Sequence, residues 1–330
     1  MHDNPKSSDE KRGRVLVTGA TGRVGGPVLK ALFARGYTVR AVSSRQQHSE
    51  NPLVEWITMN WLTNVDFSKA LDGCIGVIHL GAELSDISKM QQVNVGATEA
   101  LAAAAEKSTN IGSFVYASTI SVYGTPTVPV VSEDTPTITA DHDIPTEYWA
   151  EPYIRHYART KLLAERVLRK ILEKTPCVVL RPTVIVDDHK IRKIAEWSKL
   201  RRLLQSYRRS HFIHVDDVAG AFVWALEQGL ENRGPIFDVF NLSDDDLNGS
   251  DFCSMFKRAA ILSGKQKYRQ FLVAPGVFDR LRLRLKFRAY SHGFPLGTCQ
   301  FAGAKLCAAG YQFKLGMRAA ETQAFQESQP

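Results

Sequence analysis

Long apolar runs are absent from this chain: no segment of its 330 residues approaches the roughly 18–20 that a bilayer-spanning helix needs. The opening residues, Met1 to Arg14, are polar and charged and lack the apolar stretch of a secretory leader. They read as a disordered tail over 1–13, and a cytoplasmic location is the expectation. Cysteine is scarce. Its five occurrences, Cys74, Cys177, Cys253, Cys299 and Cys307, are scattered without a C-x-x-C pair, which argues against a disulfide frame and against a zinc site. No internal repeat, low-complexity tract or nucleic-acid-binding motif is visible either. The expected partners are therefore small molecules, with no metal, no membrane and no nucleic acid among them.

What the chain does hold is ample apolar material for a core, 44% of residues, beside 23% charged ones. This length suits one α/β domain with a smaller appended lobe. The net charge is +8, with basic residues gathered at 190–209 and 280–288. A solvated helix face explains such stretches most simply; an anionic ligand or nucleic acid is the alternative.

Arg14-Val15-Leu16-Val17-Thr18 is a β-branched run halted by glycine and reads as a buried first strand. Helical spacing follows, with Leu29, Leu32 and Phe33 on one face, and Gly36 ends that helix. Further strands are expected at 37–42, 54–57, 76–80, 113–117 and 177–180, with helices at 67–71, 94–106 and 157–172 between them. Such alternation implies βαβ crossovers and a doubly wound parallel sheet of Rossmann type, with helices on both faces. After Arg181 the alternation breaks. Residues 14–182 plus 212–243 read as the main α/β domain, and 183–211 plus 244–330 as a smaller C-terminal lobe that selects the substrate.

The strongest local signal is Thr18-Gly19-Ala20-Thr21-Gly22-Arg23-Val24-Gly25, between the first strand and the first helix. Gly19 permits a tight turn, Gly22 lets backbone approach a pyrophosphate, and Gly25 lets helix pack close to strand. The free N–H groups of the helix N-terminus, in the Thr21, Arg23 and Val24 region, then face phosphate. A glycine-rich turn that merely reverses the chain is the bland alternative; the strand and helix flanking it favour NAD or NADP. The second strand ends in Ser43-Ser44-Arg45, without the acidic residue that holds the 2′-hydroxyl of NAD, so NADP is favoured over NAD.

A second signal is Tyr157-Ala158-Arg159-Thr160-Lys161. Residues four apart share a helix face, and a nearby ammonium favours phenolate. A lowered phenol pKa is thus expected, making Tyr157 an acid/base near neutral pH. Alone, this spacing usually means a surface pair. Upstream, Ser118 and Thr119 stand at a strand end, where a hydroxyl reaches the top of the sheet.

Together these residues resemble the extended short-chain dehydrogenases/reductases, the NAD-dependent epimerase/dehydratase group, from about Arg14 to Met317. The resemblance rests on T-G-A-T-G-R-V-G at 18–25, V-I-H-L-G-A at 77–82 and Asn94 in V-N-V-G-A-T. It continues in S-T-I-S-V-Y-G at 118–124, Y-A-R-T-K at 157–161, L-R-P at 180–182 and F-I-H-V-D-D-V-A at 212–219. It implies Thr119 as the catalytic hydroxyl, Tyr157 as acid/base, and Lys161 as the lysine that also holds the nicotinamide ribose. It implies cofactor contacts at Leu80, Gly81 and Ala82 and at Asn94, beside the glycine turn, Ser43 and Arg45. Asn60 departs from the aspartate usual at an adenine-contacting position. His214, Asp216 and Asp217 are expected to be architectural, tying sheet to lobe.

The resemblance covers reductases, epimerases and dehydratases. Ile120-Ser121 replaces the Asp-Glu pair of sugar-nucleotide dehydratases, and Val184 replaces an asparagine that meets the substrate diphosphate in many sugar-nucleotide enzymes. Reduction of a carbonyl, or oxidation of an alcohol, is the leading expectation, with an apolar or aromatic substrate. A sugar-nucleotide epimerase is the alternative, and a non-catalytic cofactor-holding scaffold a third. Residues 124–157, with Tyr148 and Trp149, read as a flap. Relatives of this kind often pair through two helices per subunit, so a homodimer is the assembly the resemblance implies, and the sequence leaves the oligomeric state open.

Overall fold

The computed structural model describes residues 12–49, 51–138, 152–206, 208–231, 236–245, 250–262 and 296–326. Residues 1–11 of the expected tail, 139–151 of the expected flap, and the basic stretch 280–288 lie outside the described residues.

The β-branched runs form strands β1 (Arg14–Thr18), β2 (Thr38–Ser43), β3 (Val54–Thr58), β4 (Cys74–His79) and β5 (Phe114–Ala117). β7 (Cys177–Pro182) and β10 (Phe237–Leu242) complete one seven-stranded sheet in the order β10-β7-β5-β4-β1-β2-β3. β1 pairs parallel with β2 and β4, β2 with β3, β4 with β5, and β5 with β7. Parallel strands need helical crossovers, supplied in part by α1 (Gly25–Ala34), α4 (Ala97–Lys107) and α5 (Pro152–Ile171). The strand order reverses between β4 and β1. In open α/β sheets the crevice at such a switch point is where ligands bind.

One expected helix begins differently. Asn94 falls in a π-helical turn, Gln91–Gly96, that leads into α4. Such turns are short wide insertions in α-helix, frequent at functional sites. The 3.6-residue apolar spacing of the alanine-rich run cannot report that one wide turn.

The chain divides into two compact units: 1–118 with 163–180 and 219–239, and 119–162 with 181–218 and 240–330. Residues 119–162 and 212–218 thus count with the second unit. The core of the first gathers Leu16, Val77, Leu101, Phe114, Leu168 and Val179, all fully buried. Each such side chain contributes about 1.5–3 kcal/mol by leaving water. The second unit has two clusters. One joins Val186, Ile191, Phe212 and Phe252 to the helix Gly316–Gln326, and the other joins Ile120, Tyr123, Ala158, Leu162 and Phe301. Two small parallel pairs belong to this unit, β8 (Val184–Val186) with β9 (Phe212–His214), and β6 (Val130–Val131) with β11 (Gln300–Phe301).

Candidate active site

In the first unit, the turn after β1 and the loop after β4 meet at the switch point. Gly19 has φ +68, a left-handed conformation that glycine adopts without penalty. A Cβ there would lie 2.7 Å from the backbone nitrogen of Gly81, so the two loops abut backbone to backbone. A Cβ on Gly25 would stand 2.3 Å from the Ala20 oxygen, so α1 presses directly on the turn. The N–H of Gly22 donates to the Gly19 oxygen at 2.9 Å and closes it. Thr21, Gly22 and Arg23 are exposed. No side chain caps the start of α1 at Val24, and its first turn holds no acid. An uncapped N-terminus with no carboxylate suits phosphate. At the end of β2 the Ser43 hydroxyl accepts from the Arg45 N–H at 3.2 Å, while the Arg45 side chain is exposed. These residues fit a dinucleotide, with a cation and no carboxylate at the ribose end.

A directed chain of hydrogen bonds holds the second loop. The Thr98 hydroxyl donates to the Asn94 carbonyl at 2.7 Å, which commits its only hydrogen. It must then accept from His79 Nε2–H, 2.8 Å away. His79 Nδ1 is left as acceptor for the Thr18 hydroxyl at 2.6 Å, and Thr18 Oγ1 accepts the Gly81 N–H at 3.1 Å. Asn94 completes the clamp: its Oδ1 accepts from the Glu83 N–H at 2.7 Å and its Nδ2 donates to the Glu83 oxygen at 3.0 Å. Asn94, expected among the cofactor contacts, has its amide engaged with the Glu83 backbone beside Leu80, Gly81 and Ala82. Trp61, unremarked in the sequence, lies on this loop, since a Cβ on Gly81 would fall 2.2 Å from its ring. Asn60 uses its side chain locally, accepting from the Leu62 N–H at 3.0 Å.

The second unit carries the candidate chemistry. Thr119 leaves β5 in extended backbone and caps the short helix Ile120–Tyr123, its Oγ1 accepting from the Ser121 N–H at 3.2 Å. Tyr157 and Lys161 lie one turn apart on α5. Ile120 shares a buried cluster with Ala158 and Leu162, so the residues that follow Thr119, Tyr157 and Lys161 pack together. Lys161 is buried and Tyr157 half-buried. Burial pushes the Tyr157 phenol up to about 12, against the lowering expected from Lys161. Desolvation penalises phenolate and is the cause of the rise.

Glu165 continues the spacing of 157 and 161 by another four residues and is itself buried. Within the first unit it accepts a short hydrogen bond from the Ser118 hydroxyl. Ser118 is thereby committed by a short bond to a carboxylate, whereas the Thr119 hydroxyl donates at 3.2 Å to the neutral Ser121 hydroxyl.

Val184 lines a cavity of about 390 Å³ in the second unit, with Ile194, Trp197, Phe212 and Phe252. The wall is largely apolar, as expected, and Lys190, Lys193, Arg201, Arg208 and Arg209 line it too. Asp217 is architectural as expected. Its carboxylate accepts from the N–H groups of Leu315 and Gly316 at 2.9 and 2.8 Å, leading into the helix Gly316–Gln326. Among the described residues no cluster of metal-ligating side chains occurs, and no helix is long and apolar enough to cross a membrane.

Comparison with known proteins agrees with this arrangement. The model of the NAD dependent epimerase/dehydratase family matches residues 15–242. A putative dihydroflavonol 4-reductase from Synechocystis is 27% identical over 65% of this chain; the alignment spans 63% of that protein, less than two thirds of its length. N-acetyl-alpha-D-glucosaminyl-diphospho-ditrans,octacis-undecaprenol 4-epimerase from Escherichia coli O157:H7 is 29% identical, over 71% of this chain and 68% of its own. In fold, the chain is similar to the crystal structure of the Bordetella bronchiseptica enzyme WbmG in complex with NAD. That likeness has a TM-score of 0.68 at 18% identity, covering 96% of this chain and 94% of the other.

Proposed function

Because this chain belongs to the NAD-dependent epimerase/dehydratase family, we propose that it is an NAD(P)-dependent oxidoreductase that reduces a carbonyl, or oxidises the matching alcohol, with Tyr157 as acid/base. The bound nicotinamide supplies or takes up the hydride. The observation that carries the proposal is a phenol and an ammonium one helical turn apart on α5, whose neighbours Ala158 and Leu162 pack with Ile120, the residue after Thr119. Hydride arriving at carbon leaves charge on oxygen, and a proton donor within hydrogen-bond reach relieves it. A phenol that burial keeps protonated is suited to donating in the reductive direction. Lys161 holds the nicotinamide ribose and, with the bound cofactor's positive charge in the oxidative direction, draws the phenol down. Thr119 orients the same oxygen. Gly19, Thr21, Gly22, Arg23, Val24 and Gly25 receive the pyrophosphate, and Leu80, Gly81 and Ala82 pass alongside the cofactor.

NADP is the favoured cofactor, since β2 ends in Ser43 and an exposed Arg45 with no carboxylate. A homodimer is part of this reading, checked by light scattering on the purified protein. Sugar-nucleotide epimerisation is a second reading, supported by the relative whose name is that of a 4-epimerase. A scaffold without catalysis fits poorly with retention of both Tyr157 and Lys161.

The deciding experiment follows NADPH loss with a panel of ketones and aldehydes, beside UDP-glucose/UDP-galactose interconversion. Net consumption of NADPH is expected. Rapid epimerisation with no net turnover of cofactor makes the second reading the right one.

A further inference from the structure

Tyr123 closes the short helix that Thr119 opens, and its phenol is held from two sides. The ring is buried, and so are Arg181 at the end of β7 and Asn241 at the end of β10. Arg181 donates to the phenol oxygen at 2.8 Å, and its guanidinium carbon stands 4.9 Å from the ring centroid. The phenol gives its one hydrogen to Asn241 Oδ1 at 2.7 Å. Asn241 Nδ2 then donates to the Val131 carbonyl at 3.3 Å, and the Asn241 backbone N–H donates to the Glu133 carboxylate at 2.7 Å. The side-chain bonds run one way, from arginine to tyrosine to asparagine to backbone, and every member lies in the second unit. Burial pushes the Tyr123 phenol up to about 12, although Arg181 draws it the other way. It therefore keeps, near neutral pH, the hydrogen that it gives to Asn241.

Packing alone would not need that oxygen, since phenylalanine fills the same space. Ile120 packs with Ala158 and Leu162 of α5, and apolar contact of this kind is non-directional. Hydrogen bonds are directional. The apolar contact thus sets how near the short helix lies to α5, and the polar chain at Tyr123 sets how the helix is turned. Rotation passes from one end to the other because the helix is a single tight turn. The Val122 N–H donates to the Thr119 carbonyl at 3.3 Å, and the Gly124 N–H to that of Ser121 at 3.1 Å. The Thr119 hydroxyl meets Ser121 inside the same helix, accepting from its N–H and donating to its hydroxyl, both at 3.2 Å. Its aim therefore follows the helix.

We propose that Arg181, Tyr123 and Asn241 are positioning residues for the reaction, fixing the rotation of the short helix and through it the aim of the Thr119 hydroxyl. The proposal rests on the reading of Thr119 as the group that orients the substrate oxygen. A misplacement of about 1 Å, caused far from the chemistry, can cost about 10²-fold in rate.

A double-mutant cycle of Thr119→Ala and Tyr123→Phe tests it, assayed on the carbonyl reduced fastest or, if epimerisation is the reaction, on the UDP-sugar. Tyr123→Phe should lower kcat about tenfold and leave the KM for NADPH unchanged. In the Thr119→Ala background the same change should cost less than about twofold, because the hydroxyl it aims is gone. Tm should fall equally in both backgrounds, which separates aim from stability. If Tyr123→Phe folds poorly, Arg181→Lys takes its place, keeping the charge while losing the planar fork. A second readout needs no substrate. With isotope-labelled threonine methyls, the Thr119 signal, assigned by its loss in Thr119→Ser, should shift or split in Tyr123→Phe. Losses in kcat that multiply across the cycle, or a Thr119 methyl signal that stays in place, would overturn the proposal. Full turnover in Thr119→Ala alone would overturn the role given to Thr119, and the proposal with it, so that single variant tells the two failures apart.

Discussion

The two units put their polar groups to different uses. At the switch point of the first, the candidate binding groups are backbone: glycines, peptide N–H groups and an uncapped helix end. The side chains around them, Thr18, His79, Thr98 and Asn94, face inward and bond to one another or to the loop. In the second unit the candidates are side chains, a phenol, an ammonium and a hydroxyl. A site built from backbone is damaged when atoms are added, and a site built from side chains when they are removed.

The largest expected effect comes from removing one oxygen in the second unit. Tyr157→Phe should lower kcat by about 10²–10⁴-fold, the usual worth of a positioned acid or base, with NADP affinity little changed. Steady-state kinetics and a cofactor titration check both halves, and near-wild-type turnover would discard the proposed chemistry. The same variant isolates the phenol by difference titration. In the cofactor-free protein Tyr157 should ionise near its raised value of about 12, against an ordinary 10. The sign follows: the protonated phenol's contribution to stability is complete below pH 10 and is lost as pH rises toward 12. Added NADP⁺ should move the ionisation down.

Adding one methyl in the first unit is the converse. Gly19→Ala puts a Cβ at positive φ and 2.7 Å from the Gly81 nitrogen, so both stability and NADP affinity should fall. The backbone term alone costs about 1–2 kcal/mol. Gly26→Ala in α1 meets nothing within 4 Å and should be neutral or slightly stabilising. Thermal melts and cofactor titrations of the pair measure the contrast directly; equal behaviour would erase it.

Thr18→Val keeps the shape of a buried side chain while removing the acceptor of the Gly81 N–H and the donor to His79. Leaving such groups unsatisfied costs about 1–3 kcal/mol, and Thr18→Ser should recover most of it. If Val and Ser melt alike, the chain is not a working support for the loop. Smallest is Arg45→Asp, which should exchange a preference for NADP with one for NAD, a change of about tenfold or 1.4 kcal/mol. Fluorescence titration of both cofactors decides it, and equal affinities in the wild type would dismiss the preference.

Much of the first unit was readable in the chain because its rules are local. β-branched runs ending in glycine mark strands, and the spacing of Gly19, Gly22 and Gly25 follows from what a tight turn and close helix packing permit. Tyr157 and Lys161 were readable for the same reason, since four residues is one turn. What escaped depends on distance in sequence. His79 bonds to Thr18, 61 residues away, and the cavity collects residues from Val184 to Gly297. The phenol's direction of shift was misjudged because the cation is local and the desolvation tertiary. Glu165 carried a usable signal, a third position on the stripe of Tyr157 and Lys161, but its partner Ser118 lies 47 residues away.

The wide turn at Gln91–Gly96 has a consequence for how this chain tolerates a change of length. A π turn is an α-helix lengthened by a residue without a change of direction. Removing one residue there would restore ordinary helix, and each residue of α-helix corresponds to about 100° of rotation. The turn would close to ordinary spacing, and the positions inside it would change phase by up to that angle relative to α4. Asn94 and Thr98 could no longer point to Glu83 and His79 together, although every flanking side chain survived. The loop at the switch point is therefore tuned by residue count as well as by residue type.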